Sequence, residues 1–195
     1  WKPLTMYVLT RLLPCVSLCI GLSACTQILS ATHEGPIEDD PGSRSLGSYI
    51  DDQIIETKVS VNIRKANDAF SQASIDVNSH NGIVLLTGQV PNEELKRVAA
   101  AVADQVKKVR KVHNELVIGE PIHLMARTSD SWLATKVKSR LSLNDELDAS
   151  RIKVITENGA VYLMGLVSKN ESDIAAKVTS ETTGVQKVIR VFEYY

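Results

Sequence analysis

The chain repeats its own pattern at a spacing of 77 or 78 residues, beginning after Gly47. Two stretches match best, namely Asn81-Gly-Ile-Val-Leu-Leu-Thr-Gly-Gln-Val90 and Asn158-Gly-Ala-Val-Tyr-Leu-Met-Gly-Leu-Val167. Self-similarity at a fixed period indicates that one structural unit is built twice. The repeat therefore predicts two modules of about 70 residues each, at 49–119 and 120–195.

Each copy has the pattern helix, strand, strand, helix, strand. In the first copy, apolar residues at helical spacings predict a helix over 51–64, with Asp51 and Asp52 in its first turn. The dipeptide Asn81-Gly82 predicts a hairpin turn before a β-rich run over 83–90. Pro91 and the acidic residues after it favour the start of a second helix, and 112–118 is predicted to be the last strand.

This order of elements predicts an α+β fold. A hairpin makes the first two strands antiparallel, whereas a helical crossover makes the second and third parallel. Each module is therefore expected to be a small mixed sheet with both helices on one face. A unit of about 70 residues buries only a small core, and packing of the two copies on each other would enlarge it.

The stretch Leu22-Ser23-Ala24-Cys25 has the pattern of a bacterial lipobox, in which the cysteine is acylated and the leader before it is removed. The apolar run over 12–22 follows Arg11 and is too short to cross a bilayer, which takes about 20 residues. We therefore predict a signal peptide at 1–24 and lipidation, such as palmitoylation, at Cys25.

Residues 25–48 have the composition of a flexible linker, with prolines, glycines and acidic residues but no sustained apolar period. A flexible coil of this length has a root-mean-square span of roughly 25–30 Å. The linker would therefore hold the modules near the membrane to which Cys25 is attached.

Composition argues against several classes of function. The leader contains two of the 22 basic residues and none of the 23 acidic ones, so the rest of the chain carries three excess negative charges, unlike a typical nucleic-acid binder. Removal of the leader leaves Cys25 as the only cysteine. The four histidines are far apart in sequence and are expected at the surface, so we predict no metal site and no cofactor. They are His33, His80, His113 and His123.

Motifs for catalysis are also missing from the sequence. It contains no Gly-x-Ser-x-Gly elbow and no phosphate-binding loop. The paired carboxylates at 51–52 and 93–94 suit the N-termini of helices, where negative charge is favourable. We therefore predict that the protein is not an enzyme.

Two copies of Asn-Gly-x-Val-x-Leu-x-Gly-x-Val, each preceded by a helix and followed by a helix and a Val-x-x-Val strand, resemble the BON domain. Behind a lipobox, the pair is similar to the dual-BON-domain lipoproteins of Gram-negative outer membranes. The first copy departs from the second where Ser60-Val-Asn62 replaces Lys138-Ser-Arg140. The resemblance implies location at the periplasmic face of the outer membrane, a role in envelope integrity, and binding of anionic phospholipid by the second domain. The lipid would be of the phosphatidylglycerol or cardiolipin class.

The second module contains a helix that could make such a contact, predicted over 130–143 with Ser129 or Asp130 as its cap. Its core stripe is predicted to be Leu133, Val137 and Leu141. An adjacent stripe combines apolar and cationic residues, as an interfacial lipid contact requires. The predicted phospholipid-binding residues are Trp132, Lys136, Ser139, Arg140 and Leu143.

Three alternatives remain open from the sequence. Trp132 could instead be half-buried against its own sheet or the other module, with Lys136 and Arg140 as ordinary solvated charges. The protein could be an adaptor whose exposed faces dock onto outer-membrane assembly proteins. It could also be a passive structural or stress-protective protein of the envelope.

Overall fold

The computed structural model describes residues 42, 44–120 and 124–195, with only the backbone described for 124–127. The predicted signal peptide at 1–24, the lipidation of Cys25 and most of the predicted linker lie outside the described residues. Both modules belong to one compact unit.

The order of elements in both modules is the predicted one, and the α+β fold is confirmed. Module 1 contains α1 (Leu46–Ala66), β1 (Ser74–His80), β2 (Ile83–Val90), α2 (Glu93–Asp104), β3 (Lys111–Asn114) and β4 (Val117–Ile118). Module 2 contains α3 (Leu124–Ser142), β5 (Lys153–Glu157), β6 (Ala160–Val167), α4 (Lys169–Ser180) and β7 (Lys187–Tyr194).

The first helix of each module begins earlier than predicted. Ser45 caps α1, because its side chain accepts a hydrogen bond from the backbone N–H of Ser48. Asp51 and Asp52 therefore lie in the second turn, and their predicted place in the first turn was wrong. The prediction that Ser129 or Asp130 caps the second helix was also wrong, since α3 begins at Leu124.

Each sheet is mixed, as predicted. In module 1, β1 pairs antiparallel with β2 through a turn in which Asn81 and Gly82 have positive φ angles of 50° and 77°. β2 then pairs in parallel with β3 and β4. The last strand was predicted as a single element but is broken, because Leu116 turns into the core between its two parts. In module 2, β6 pairs antiparallel with β5 and in parallel with β7.

Both helices of each module cover the same face of its sheet. Alternate residues of β2 contact α1 and α2 in one apolar cluster, and alternate residues of β6 pack beneath the helices of module 2 in a second cluster. The sheet residues in these clusters include Val84, Leu86 and Val90 in module 1, and Val161, Leu163 and Val167 in module 2. The stripe predicted for α3, consisting of Leu133, Val137 and Leu141, is buried in the second cluster.

A third apolar cluster joins the two modules through the faces of the sheets that carry no helices. Ile83 and Leu85 of β2 pack with Tyr162 and Met164 of β6 and with Val191 of β7. The modules thus form four layers in the order helices, sheet, sheet, helices. As a result, α1 and α3 belong to opposite outer layers.

Polar contacts reinforce this interface between the modules. Gln89 Nε2 donates a hydrogen bond to Glu157 Oε1 at 2.6 Å. Arg110 pairs with Glu193 at 2.7 Å, and Lys153 pairs with Glu56 at 2.7 Å. Each contact connects residues that are far apart in sequence, so the sequence pattern gave no indication of them.

Candidate functional site

The two large apolar residues predicted for the lipid contact lie fully on the outside of α3. The side chain of Trp132 is 71% exposed and that of Leu143, just past the end of the helix, is 79% exposed. Ser139 is also exposed, between them in sequence. The structure therefore excludes the alternative in which Trp132 is half-buried against its own sheet or the other module. Eleven residues of helix correspond to about 16 Å along the axis, so the two apolar groups are separated by roughly that distance.

The two cations predicted for the site connect α3 to the C-terminal end of α4. Lys136 Nζ donates a hydrogen bond to the carbonyl of Thr183 at 3.1 Å. Arg140 Nη1 donates to the carbonyl of Glu181 at 2.6 Å and to Thr182 Oγ1 at 3.3 Å. Cations are favourable at this end of a helix because its last carbonyls carry partial negative charge.

These hydrogen bonds leave both cations able to bind an anion. An ammonium group has three donors and a guanidinium group has five, so each retains unused N–H groups. Lys136 remains exposed, as does Arg140. The C-terminal end of α4 thus holds the cations beside Trp132 and Leu143 without enclosing them.

The five predicted site residues therefore lie along one exposed surface, which we call the α3 face: Trp132, Lys136, Ser139, Arg140 and Leu143. Its apolar groups suit the headgroup and upper acyl region of a bilayer, and its cations suit phosphate oxygens. The matching surface of α1 has Ile54 in place of Trp132 and Asn62 in place of Arg140. It therefore lacks this combination.

Sequence reasoning missed a buried carboxylate that supports each hairpin turn. Asp52 accepts hydrogen bonds from Ser79 Oγ at 2.6 Å and from the backbone N–H groups of Asn81 and Gly82 at 2.8 and 2.9 Å, and it also pairs with Arg44. Burial raises the pKa of Asp52, but these hydrogen bonds and the Arg44 charge bring the pKa below its usual value.

Asp130 makes the corresponding contact in module 2. Its carboxylate accepts from the backbone N–H groups of Asn158 and Gly159 at 2.7 and 2.9 Å. Asp52 and Asp130 occupy matching positions in the sequence repeat. That match could have revealed a shared structural role.

His80 is not at the surface as expected, since it is only 7% exposed. Its Nδ1 atom has no hydrogen-bond partner in the described part of the chain. Burial lowers the pKa of His80 to about 4, and the charges of Arg44 and Lys153 act in the same direction against the opposing effect of Asp52. Of the other histidines, His113 is partly buried, and His33 and His123 lie outside the described residues.

A cleft of about 560 Å³ lies between the start of α1 and the end of β7. Its charged groups pair with one another, because Lys108 contacts Asp51 at 2.6 Å and Arg110 contacts Glu193 at 2.7 Å. Among the described residues, no three His, Cys, Asp or Glu side chains are grouped as a metal site would require. None of the helices described is both long enough and apolar enough to cross a bilayer.

Comparison with known proteins identifies relatives along most of the chain. The BON domain family matches residues 51–120 and 129–194. The chain is 40% identical over 158 residues to the outer membrane lipoprotein DolP of Haemophilus influenzae. The matched region covers 81% of this chain and 81% of that protein. It is 40% identical over 162 residues to a 21 kDa hemolysin of Actinobacillus pleuropneumoniae, covering 83% of this chain and 81% of that protein. The osmotically-inducible protein Y of Escherichia coli is 26% identical over 152 residues, covering 76% of this chain and 75% of its own.

Proposed function

Because this chain belongs to the BON domain family and carries two BON domains in tandem, we propose that it is an outer-membrane lipoprotein that binds anionic phospholipid through its second BON domain. In this proposal, acylated Cys25 holds the modules at the periplasmic face, and the protein supports envelope integrity. The similarity to a protein named as an outer membrane lipoprotein supports the location. The lipobox at 22–25 supports the attachment.

One observation carries the lipid-binding part of the proposal. The α3 face presents Trp132 and Leu143 at more than two-thirds exposure beside two accessible cations. An exposed indole on a folded domain loses favourable burial unless another surface covers it. A bilayer with anionic headgroups would cover the indole and pair with the cations at the same time.

The energies indicate that the α3 face alone would bind weakly. Burial of the indole and the Leu143 side chain would contribute on the order of 2–4 kcal/mol. Each cation would add about 1 kcal/mol near an anionic surface. A lipid-anchored linker raises the effective concentration of the face at the bilayer to roughly millimolar, where weak contacts suffice. Acyl chains on Cys25 would supply the lasting attachment, at about 0.8 kcal/mol per buried methylene.

The hydrogen bonds to the end of α4 would assist this contact. Lysine and arginine side chains lose substantial rotamer entropy when they are fixed at a surface. Lys136 and Arg140 are already oriented by the carbonyls of Thr183 and Glu181. Part of the entropic cost of binding phosphate would therefore be met by folding.

The test compares equivalent substitutions in the two modules. In a Cys25→Ser background, where no acyl chain can anchor the protein, Trp132→Glu should abolish sedimentation with phosphatidylglycerol vesicles. The matched control, Ile54→Glu on α1, should sediment like the parent. None of the three proteins should sediment with phosphatidylcholine vesicles. Circular dichroism should show that both variants remain folded. If Trp132→Glu sediments as well as the parent, the α3 face does not bind lipid.

A further inference from the structure

The outward surface of α1 carries a line of large apolar side chains that nothing in the described part of the chain covers. We call Leu46, Ile50, Ile54 and Val61 the α1 stripe. Their side chains are between 40% and 75% exposed. At 100° per residue, these four positions fall within an arc of about 80°. Tyr49, also exposed, lies about 60° outside this arc.

The α1 stripe points directly away from the core of its own module. The buried side of α1 consists of Ile55, Val59 and Ile63. The centres of the two sets lie about 180° apart around the helix axis. A helix that packs on one side only is expected to be polar on the other. Four apolar side chains in line on the exposed side therefore indicate an interaction surface.

The charges beside the α1 stripe are positive and unpaired. Lys58, Arg64 and Lys65 are exposed, and none forms an ion pair or a side-chain hydrogen bond within the described residues. All three acids of α1 itself are paired with residues outside the helix: Asp51 with Lys108, Asp52 with Arg44 and Glu56 with Lys153. Electrostatic complementarity therefore favours an acidic partner.

The layered architecture argues against the bilayer as the surface that covers the α1 stripe. Packed sheets lie about 10 Å apart, and a helix layer on each side adds a similar distance, so the α1 stripe and the α3 face are separated by roughly 30 Å. A bilayer beneath the α3 face would leave the α1 stripe pointing into the aqueous space. The conclusion that the α1 stripe points into the aqueous space rests on the proposed function. The apolar and cationic character of the α1 stripe and the charges beside it does not.

A second copy of the chain is also a poor match. Stripe-to-stripe packing would bring the unpaired cations of both copies to one interface, where like charges repel. It would also direct the α3 face of the second copy away from the bilayer. A partner of opposite charge meets neither difficulty.

We propose that the α1 stripe docks an amphipathic helix of another protein, in which aspartate or glutamate residues flank an apolar seam. Residues of the stripe recur at the helical spacings at which two helices pack side by side. The seam of the partner would lie along Leu46, Ile50, Ile54 and Val61. Its acidic residues would meet Lys58, Arg64 and Lys65.

The first test places a photocrosslinking amino acid at Ile50 or Ile54 of the full-length protein in its native cells. Thr135, which is exposed on α3 at the position that matches Thr57 of α1, serves as the control site. Mass spectrometry should recover, from the α1 sites alone, a peptide of another protein with the sequence of an acidic amphipathic helix. The proposal is overturned if the adducts contain only lipid or a second copy of this chain, if the peptide lacks acidic flanks, or if Thr135 captures the same protein equally.

The second test reverses the charge beside the stripe. Lys58→Glu combined with Lys65→Glu should lower the yield of the Ile54 adduct about tenfold, because an attraction becomes a repulsion. Lys177→Glu on α4, an exposed lysine in the other outer layer, should leave the yield unchanged. Equal yields from the reversed and control proteins would contradict the acidic partner.

A third arm separates this inference from the proposed lipid contact. Trp132→Glu should leave the Ile54 adduct intact even though it abolishes vesicle binding. If the parent protein binds no vesicles but still forms the Ile54 adduct, that result supports docking at the α1 stripe and rejects only the lipid contact. Loss of the adduct in Trp132→Glu would overturn docking as an independent function.

Discussion

A single buried carboxylate, Asp52, connects the first helix of module 1 to the hairpin turn of the same module. It accepts three hydrogen bonds from residues 79–82, and it also pairs with Arg44. An ionised group can be buried only when such partners replace its hydration. Asp130 accepts from the corresponding two backbone N–H groups of module 2. The repeat therefore preserves a specific contact between helix and turn as well as a pattern of apolar residues.

His80, which is buried close to this carboxylate, should make the stability of the protein sensitive to mild acid. Its pKa falls from 6.5 to about 4 on folding, mainly through burial. As the pH drops below 6.5, the unfolded chain takes up a proton that the folded chain does not, so the free energy of unfolding decreases until about pH 4. Above pH 6.5 this contribution is fully present.

The prediction is a smaller acid sensitivity in His80→Gln than in the parent protein. Between about pH 7 and about pH 5, the parent should lose roughly 2 kcal/mol more free energy of unfolding than the variant. Urea unfolding followed by circular dichroism at both pH values measures the difference, and comparing the two proteins removes the effect of carboxylates that they share. Equal losses in the two proteins would show that His80 is not buried in its neutral form.

At the scale of elements, α1 and α3 occupy equivalent positions but have different exposed surfaces. Both pack three apolar residues on their own sheet. On the outside, α1 carries an apolar stripe beside unpaired cations, whereas α3 carries Trp132 beside cations that bind the end of α4. Duplication thus retained the packing and changed the surface. This difference is the basis for assigning different partners to the two modules.

Lys136 on α3 should affect both stability and lipid binding. Lys136→Gln removes a charge from the C-terminal end of α4, which should lower the free energy of unfolding by about 0.5 kcal/mol. It also removes a cation from the proposed lipid contact, which should weaken binding to phosphatidylglycerol vesicles about fivefold. Lys138→Gln, in the same helix but away from Trp132, should change neither quantity. Urea unfolding and vesicle titration measure the two effects, and identical results for the two variants would contradict the assignment.

At the scale of the whole molecule, the contact between the two sheets buries apolar residues that each module alone would expose. Every residue of β2 is buried, because one side of the strand faces α1 and α2 while the other faces module 2. Module 1 alone would expose Leu85 to water, and module 2 alone would expose Tyr162 and Met164. The tandem therefore has the character of one domain made from two repeats, and its helices form its two outer layers.

Leu85→Ala should consequently destabilise both modules together. The substitution removes a buried side chain from the cluster between the sheets and should cost about 2–4 kcal/mol. Unfolding should remain a single transition, and hydrogen exchange should accelerate in β6 as well as in β2. A normal exchange rate throughout module 2, or two separate transitions, would indicate that the modules fold independently.

The sequence by itself determined the repeat, the order of elements, the hairpin turn at Asn81-Gly82 and the buried side of α3. These properties follow from interactions between residues close along the chain. Alternation with a period of two or 3.6 residues predicts strands and helices, and an Asn-Gly pair readily adopts positive φ angles. The composition of the α3 face also followed from helical spacing within a single element.

Only the tertiary structure decided which surfaces remain exposed. The sequence pattern assigned His80 to the surface, placed Asp52 in a first turn and left the burial of Trp132 open. The burial of His80 and the exposure of Trp132 depend on which distant elements pack beside them. Asp52 lies in a second turn for a local reason, because Ser45 caps α1 earlier than predicted. Periodicity records which side of an element is apolar, but not which other element covers it. For that reason, the four-layer packing, and with it the placement of the α1 stripe and the α3 face in opposite outer layers, became evident only in the folded molecule.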